Sequence, residues 1–275
     1  MATDFPDCDR NRRIQDFPEV RLSADEAEQL SRDDLADVLE LARHSGFIAP
    51  TSVSAQSGDL AASDHEPLVF EQPTLVVKEV FGIAFGAMQG FAHMLEAEGE
   101  VRGLIGPREA SRLWSRHLVN SAAVLKFLPR RGSVLDIGSG AGFPGMVIAI
   151  CRPDLEVFLL EPMLRRCEWL SDVITELDLD NVHVIQGRAE ELRGKLKADV
   201  VTARAVANMT KLVRITTRLI APRGQLIALK GRRAQEEVDA ASVELRKHHL
   251  KATVHQVPSI MEDESTYVVS CQRIK

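Results

Sequence analysis

The residues best suited to chemistry lie in one short run, Val134-Leu135-Asp136-Ile137-Gly138-Ser139-Gly140-Ala141-Gly142-Phe143-Pro144-Gly145. An apolar strand leads straight into a glycine-rich turn, and a helix follows. Glycine lets a chain turn sharply and come close to a ligand. A helix start behind the turn offers free N–H groups. Such turns most often hold a dinucleotide, so two carboxylates decide how this one reads. Asp136 stands two residues before the first glycine. A carboxylate there repels a diphosphate and suits an ammonium such as that of a methionine moiety. Glu161 closes the next apolar run, 21 residues after Gly140. A carboxylate at that position accepts hydrogen bonds from both hydroxyls of a ribose. Glu161 alone fits a nicotinamide dinucleotide as well as S-adenosylmethionine. Asp136 with the GxGxGxxG run favours the sulfonium cofactor.

These residues need a frame, and the sequence from Ser133 onward supplies one. Apolar runs of strand length appear at residues 133–138, 157–161, 182–187, 199–204, 225–231, 252–257 and 267–274. Helical patterns at Pro144–Cys151, Arg165–Leu177, Met209–Ile220 and Arg233–Leu250 separate most of them. Apolar strands alternating with amphipathic helices predict a parallel sheet covered on both faces. No helix lies between the last two runs, so the final strand turns back antiparallel. The expected fold is α/β: a doubly wound, seven-stranded, mostly parallel sheet of the methyltransferase kind. Its core covers residues 132–275, with helices over 71–131 ahead of it: one pattern from about residue 75 to 99 and a second from Pro107 to Leu128. In such a sheet ligands bind at the carboxyl ends of the strands. Gly138, Glu161, Arg188–Glu190 and Arg204 all fall there.

Upstream the character differs. Residues 23–44 read as a charged amphipathic helix capped by Ser23 with Glu26. Residues 45–67 have linker composition, so residues 1–70 form an extension apart from the 71–275 domain. The apolar run Val80–Leu95 is expected to be too short for a bilayer and, with large residues at helical spacing, to face a core. A cytoplasmic chain with no membrane partner and no secretion signal follows. The four cysteines form no CxxC pair, so neither a metal site nor a disulfide framework is expected. The net charge of −6 conceals an asymmetry. Residues 1–100 carry 7 Lys/Arg against 20 Asp/Glu, and residues 101–275 carry 27 against 20. The basic second part permits a polyanionic partner, and charge alone leaves a plain solvated surface equally open.

Several stretches together resemble the RsmG (GidB) family of 16S ribosomal RNA guanine-N7 methyltransferases, in its actinobacterial form. They are Leu113-Trp114-Ser115-Arg116-His117-Leu118, the glycine run, Glu161-Pro162-Met163-Leu164-Arg165-Arg166, Gly187-Arg188-Ala189-Glu190-Glu191, Thr202-Ala203-Arg204-Ala205-Val206-Ala207 and Ala228-Leu229-Lys230-Gly231. The glycine run is common to many methyltransferases; its order with GRAEE, ARAVA and ALKG is far more specific. The resemblance spans about residues 75–250 and leaves the first 70 without a role. It implies a monomeric enzyme that binds S-adenosylmethionine and acts on 16S ribosomal RNA of the small subunit. The cofactor pocket it implies uses Gly138, Phe143, Ala189, Glu190 and Arg204, beside the Asp136, Gly140 and Glu161 read from the residues themselves.

The chemistry of the target agrees. Guanine N7 has a free lone pair and no proton to lose, so it needs orientation and desolvation more than a general base. No cysteine nucleophile follows a strand of the site. No Asp-Pro-Pro-aromatic stretch stands where Arg204-Ala205-Val206-Ala207 is found. Arg204 is the first candidate for function. It holds the cofactor carboxylate or reaches the guanine acceptor edge, and the cofactor role is favoured because a cation on N7 blocks attack. Lys230, Arg232 and Arg233 end the fifth strand and are RNA-contact candidates, as are His117 and Arg165. Solvated charge, a packed histidine and a basic helix start are the plain alternatives. A methyltransferase of small molecules or proteins, a nicotinamide oxidoreductase and a non-catalytic RNA-binding module are the competing functions. The oxidoreductase lacks a Tyr-xxx-Lys constellation, since Tyr267 is the only tyrosine.

Overall fold

A computed structural model describes residues 70–258 and 265–274. The expected 23–44 helix and 45–67 linker lie outside the described residues. Within them, helices come first. Thr74 caps α1 (Leu75–Phe81) by accepting from the Val77 amide at 3.3 Å. Gly82, at φ +51°, breaks the helical path, which resumes as α2 (Phe85–Glu98). The expected core face is present: Met88, Phe91, Ala92 and Leu95 have no exposed surface. The expectation about length is corrected. Counted through the break, Leu75–Glu98 is 24 residues and contains an 18-residue window of mean hydropathy 1.4, enough by length and composition alone to cross a membrane. Met88, Phe91 and Leu95 pack one side of α2 on the core, while Leu75, Val76, Val80 and Ile83 ahead of it are exposed.

The stretch expected as one helix from Pro107 to Leu128 is broken into pieces. These are α3 (Pro107–Ala110), a π-helical segment (Leu113–Val119) and α4 (Asn120–Ala122). Leu113, Trp114 and Ser115 are buried in succession, which one face of a regular helix does not permit. Trp114 stacks on Phe85, ring centroids 5.6 Å apart, and so fixes the segment on the helical layer. π-Helical turns often mark functional places.

All seven expected strands form. They are β1 (Gly132–Ile137), β2 (Leu155–Glu161), β3 (Val182–Gln186), β4 (Ala198–Arg204), β5 (Ile220–Lys230), β6 (Leu250–Pro258) and β7 (Ser265–Arg273). They make one sheet in the order β3-β2-β1-β4-β5-β7-β6. β3, β2, β1, β4 and β5 pair in parallel, and β7 is antiparallel to both β5 and β6. β1 and β2 are buried along their inner lengths, because helices cover both faces. Those helices are α5 (Gly145–Cys151), α6 (Leu164–Glu176), α7 (Met209–Thr216), α8 (Ala234–Ala240) and α9 (Ser242–Lys247). Two differ from expectation. α7 stops at Thr216 because Leu219 and Ile220 are claimed by the sheet, where the Leu219 carbonyl accepts from the Ala198 amide at 2.9 Å. The 233–250 pattern divides at Ala241, whose amide bonds back to Glu237 and Val238, and Leu250 already belongs to β6.

The chain reverses its winding between β1 and β4, so a crevice opens at their carboxyl ends. Register sets Arg204 opposite Leu229 and Lys230 opposite Tyr267. The ends of β4 and β5 therefore deliver both cations to the same edge. Among the described residues Cys167 and Cys271 are buried, and burial pushes the Cys271 thiol up to about 12.

Candidate functional site

The glycine run folds as a tight loop between β1 and α5. Gly138, Gly140 and Gly142 all take positive φ. At Gly138 the angle is +68°, and an added Cβ would stand 3.0 Å from the Val206 side chain. Only glycine leaves that approach open. The Gly138 and Ser139 amides donate to the Leu160 carbonyl at 2.8 and 3.1 Å, tying the loop to β2. Trp169 donates its indole N–H to the Ala141 carbonyl at 3.1 Å from the other side.

Two buried carboxylates brace this loop. Asp136 accepts the Gly145 amide on Oδ2 at 3.0 Å, while Oδ1 makes no well-formed hydrogen bond among the described residues. Burial pushes its carboxyl up to about 7, and the Gly145 amide opposes that rise. Glu161 is 2% exposed and accepts the Gly140 amide on Oε2 and the Met163 amide on Oε1, each at 3.0 Å. Arg166 approaches the same carboxylate at 4.0 Å. The carboxylate expected to stand open for a ribose thus already holds one amide at each oxygen, with a further lone pair on each.

The third strand adds less. Ala189 is buried and Glu190 exposed in the turns after β3, where Glu191 accepts the Arg188 amide at 2.8 Å.

Arg204 ends β4 and joins distant parts of the chain. Its guanidinium lies over the Phe143 ring, 4.5 Å from the centroid, and its Nη2 meets His117 Nδ1 at 3.0 Å. His117 stacks on Phe143 as well, at 5.3 Å, and its Nε2 meets Glu109 Oε2 at 2.6 Å. Burial, then the charge of Arg204, lowers the imidazole to about 4, so it is neutral near pH 7. An arginine only donates, so Nδ1 accepts from Arg204 and Nε2–H donates to Glu109. Burial lowers the guanidinium itself to about 10, against the pull of Asp136 and Glu109. It stays a cation. The next residue, Ala205, is held at φ +56°, a strained angle for a side chain with a Cβ.

Beside Arg204 lies a cavity of about 810 Å³. It runs from the π-helical segment across the β4 and β5 ends to the start of β7, with Ser115, Asn120, Arg204, Lys230, Glu237 and Thr266 in its lining. Asn120 donates to Thr266 Oγ1 at 2.6 Å and so closes one wall. Lys230 is not splayed into solvent. Its ammonium donates to the Ala207 carbonyl at 2.6 Å and to Glu237 Oε2 at 2.8 Å, and its side chain is 8% exposed. Arg232 lines the cavity; Arg233 and Arg165 are exposed. The structure therefore brings His117, Phe143, Arg204, Lys230 and Arg232 to one edge, with Asp136 and the glycine loop behind. Arg165 and Glu190 belong to the opposite half of the sheet. Sequence reasoning missed Glu109, Asn120, Glu237 and Thr266, which no local pattern marks. No cluster of three potential metal ligands occurs among the described residues.

A glycine loop braced by carboxylates thus lies beside a polar cavity at the same sheet edge. Residues 85–267 match the family model described as rRNA small subunit methyltransferase G. The chain belongs to this family. Similar proteins named Ribosomal RNA small subunit methyltransferase G occur in Beutenbergia cavernae and Thermobifida fusca. The first is 53% identical over 193 residues, 70% of this chain and 91% of that protein. The second is 48% identical over 198 residues, 72% of this chain and 84% of that protein. Among solved structures, the precorrin-6y C5,15-methyltransferase of Geobacter metallireducens is 16% identical, with a TM-score of 0.46 over 57% of this chain and 88% of that one. Family membership makes this chain a methyltransferase and sets aside the oxidoreductase and the non-catalytic RNA-binding module.

Proposed function

We propose that this chain transfers the methyl group of S-adenosylmethionine to N7 of a guanine in 16S ribosomal RNA, acting as a cytoplasmic monomer. The observation that carries the reading is the juxtaposition of two unlike sites at one sheet edge, joined by Arg204. When bound, S-adenosylmethionine supplies an electrophilic methyl that an aromatic nitrogen lone pair can take without prior loss of a proton.

The residues present fit that donor. The buried, under-bonded Oδ1 of Asp136 suits an ammonium, which also offsets the cost of ionising the carboxyl. Gly138 and Gly140 leave room for a backbone approach free of Cβ atoms. Glu161 accepts from ribose hydroxyls with the lone pairs its amides leave over, and Ala189 with Glu190 meets the adenine edge. Phe143 carries both His117 and Arg204 against its ring and so ties the glycine loop to the end of β4. Arg204 orients the donor carboxylate; its own position is set by the neutral His117 and by Glu109.

No side chain is needed as a general base, because N7 carries no proton. The work left to the protein is orientation and the exclusion of water. His117 serves here through Arg204, and Lys230 by fixing Glu237 and the 205–208 loop. The exposed Arg165 and Arg233, with Arg232 at the cavity, supply contacts to RNA phosphates.

A thermal shift with S-adenosylhomocysteine against NAD tests the donor site. Stabilisation by the first and none by the second is expected, and Gly138→Val removes it. Ligand at 100 times its dissociation constant adds about 2.7 kcal/mol, an easily measured shift. Stabilisation by NAD alone would contradict the reading.

A further inference from the structure

A methyl acceptor must reach the cavity, and its chemistry constrains how. N7 lies on the major-groove edge of guanine. In A-form RNA that groove is deep and narrow, and protein groups do not enter it. An enzyme acting on a base it cannot reach takes the base out of its stack. The cavity of about 810 Å³ is within the size range of pockets that enclose small molecules.

Its polarity is uneven. One wall presents the guanidinium of Arg204, beside the glycine loop. Glu237 also lines it, from α8. Glu237 Oε2 is saturated by Lys230 Nζ at 2.8 Å and by the Met209 amide at 3.0 Å. Those two donors fix the carboxylate. Its Oε1 accepts no hydrogen bond among the described residues, and the side chain is 31% exposed. Guanine has the matching asymmetry. O6 and N7 are acceptors on one edge, and N1–H with the 2-amino group are donors on the other.

We propose that this cavity receives the target guanine as an extruded base, and that Glu237 selects it by accepting a hydrogen bond from the 2-amino group. The inference rests on the guanine-N7 reading above and adds the residue that recognises the base. With the donor edge on Glu237, O6 and N7 are turned away from the carboxylate and toward the glycine loop, where the donor is proposed to lie, while Arg204 stays on the donor carboxylate. Adenine brings an acceptor, N1, toward the carboxylate and has no 2-amino group, so the same contact rejects it. Lys230 is a positioning residue in this scheme, since its ammonium is spent on Glu237 and Ala207.

The test uses the full chain, S-adenosylmethionine and 16S ribosomal RNA ligated to carry guanine or inosine at the position the wild-type protein methylates. Inosine keeps N7, O6 and N1–H and lacks only the 2-amino group. A hydrogen bond to a charged group is worth roughly a 10- to 100-fold effect. Wild type is expected to prefer guanine by about tenfold or more in kcat/KM. Glu237→Gln lowers that preference to about threefold or less, Glu237→Asp keeps part of it, and S-adenosylhomocysteine affinity stays unchanged in both. A wild-type protein that treats guanine and inosine alike overturns the inference, whatever the variants do. So does Glu237→Gln slowing both RNAs equally with the preference intact. Failure of the wild type to methylate any 16S guanine overturns the underlying reading, and this inference with it.

Discussion

The half of this site proposed to hold the donor and the half proposed to receive the acceptor are built in different ways. The donor half is mostly backbone from one stretch of chain. Asp136, the glycine loop and Gly145 fall within ten residues, and Glu161 joins them from the adjacent strand through amides. The acceptor half is mostly side chains from remote places. His117 meets Arg204 across 87 positions, and Asn120 meets Thr266 across 146. Backbone geometry resists substitution and suits a donor that never changes. Side-chain geometry is adjustable and suits the selection of one base among many. Arg204 belongs to both halves.

Breaking that junction should do most harm. Arg204→Lys keeps a charge but loses the planar fork that both covers Phe143 and bonds His117. A kcat/KM loss of about 100-fold or more is expected, since a buried charge contact costs several kcal/mol to disrupt. Steady-state assays with the donor and the RNA varied in turn should show both halves affected. A loss confined to KM for the donor would place Arg204 in one half alone.

Asp136 tests the donor half by itself. Its folded carboxyl sits at about 7 against an ordinary 3.8. Between those values the folded chain keeps a proton that the unfolded chain has released. The group's contribution to stability is therefore whole below pH 4 and is lost as pH rises through 7. Donor binding runs the opposite way, because the ionised form attracts the ammonium. Calorimetry should find affinity rising with pH below 7 by up to about tenfold per unit, then levelling. Asp136→Asn should flatten the profile. A flat wild-type profile would count against the ammonium contact.

The smallest effect belongs to the rim of the acceptor half. Arg233 is exposed, so Arg233→Ala should weaken RNA binding only about two- to fivefold and reduce the salt slope by about one. Donor affinity should not move. A change in donor affinity would dissolve the distinction between the halves.

The same contrast governs what could be read from sequence. Seven strands were legible because both faces of the sheet are covered and leave continuous apolar runs, as in Val157–Leu160. The glycine loop after β1 was legible because its glycines and Asp136 are neighbours in the chain. Lys230 read as a surface cation, yet it is held by a glutamate seven residues on that belongs to a different element. The Glu109–His117–Arg204 chain was likewise hidden, since its members meet only through tertiary packing. The 107–128 region read as a single helix because periodicity does not foresee a π-helical turn that buries Leu113, Trp114 and Ser115 together.

Methyl transfer from S-adenosylmethionine to unmodified 16S ribosomal RNA or small subunits, followed by reductive strand scission at 7-methylguanine, tests the central claim most directly. The expected result is one scission, at a guanine, that depends on the wild-type protein and disappears with Gly138→Val. Incorporated methyl that gives no scission, or none incorporated by protein that still binds the donor, would contradict the guanine-N7 assignment.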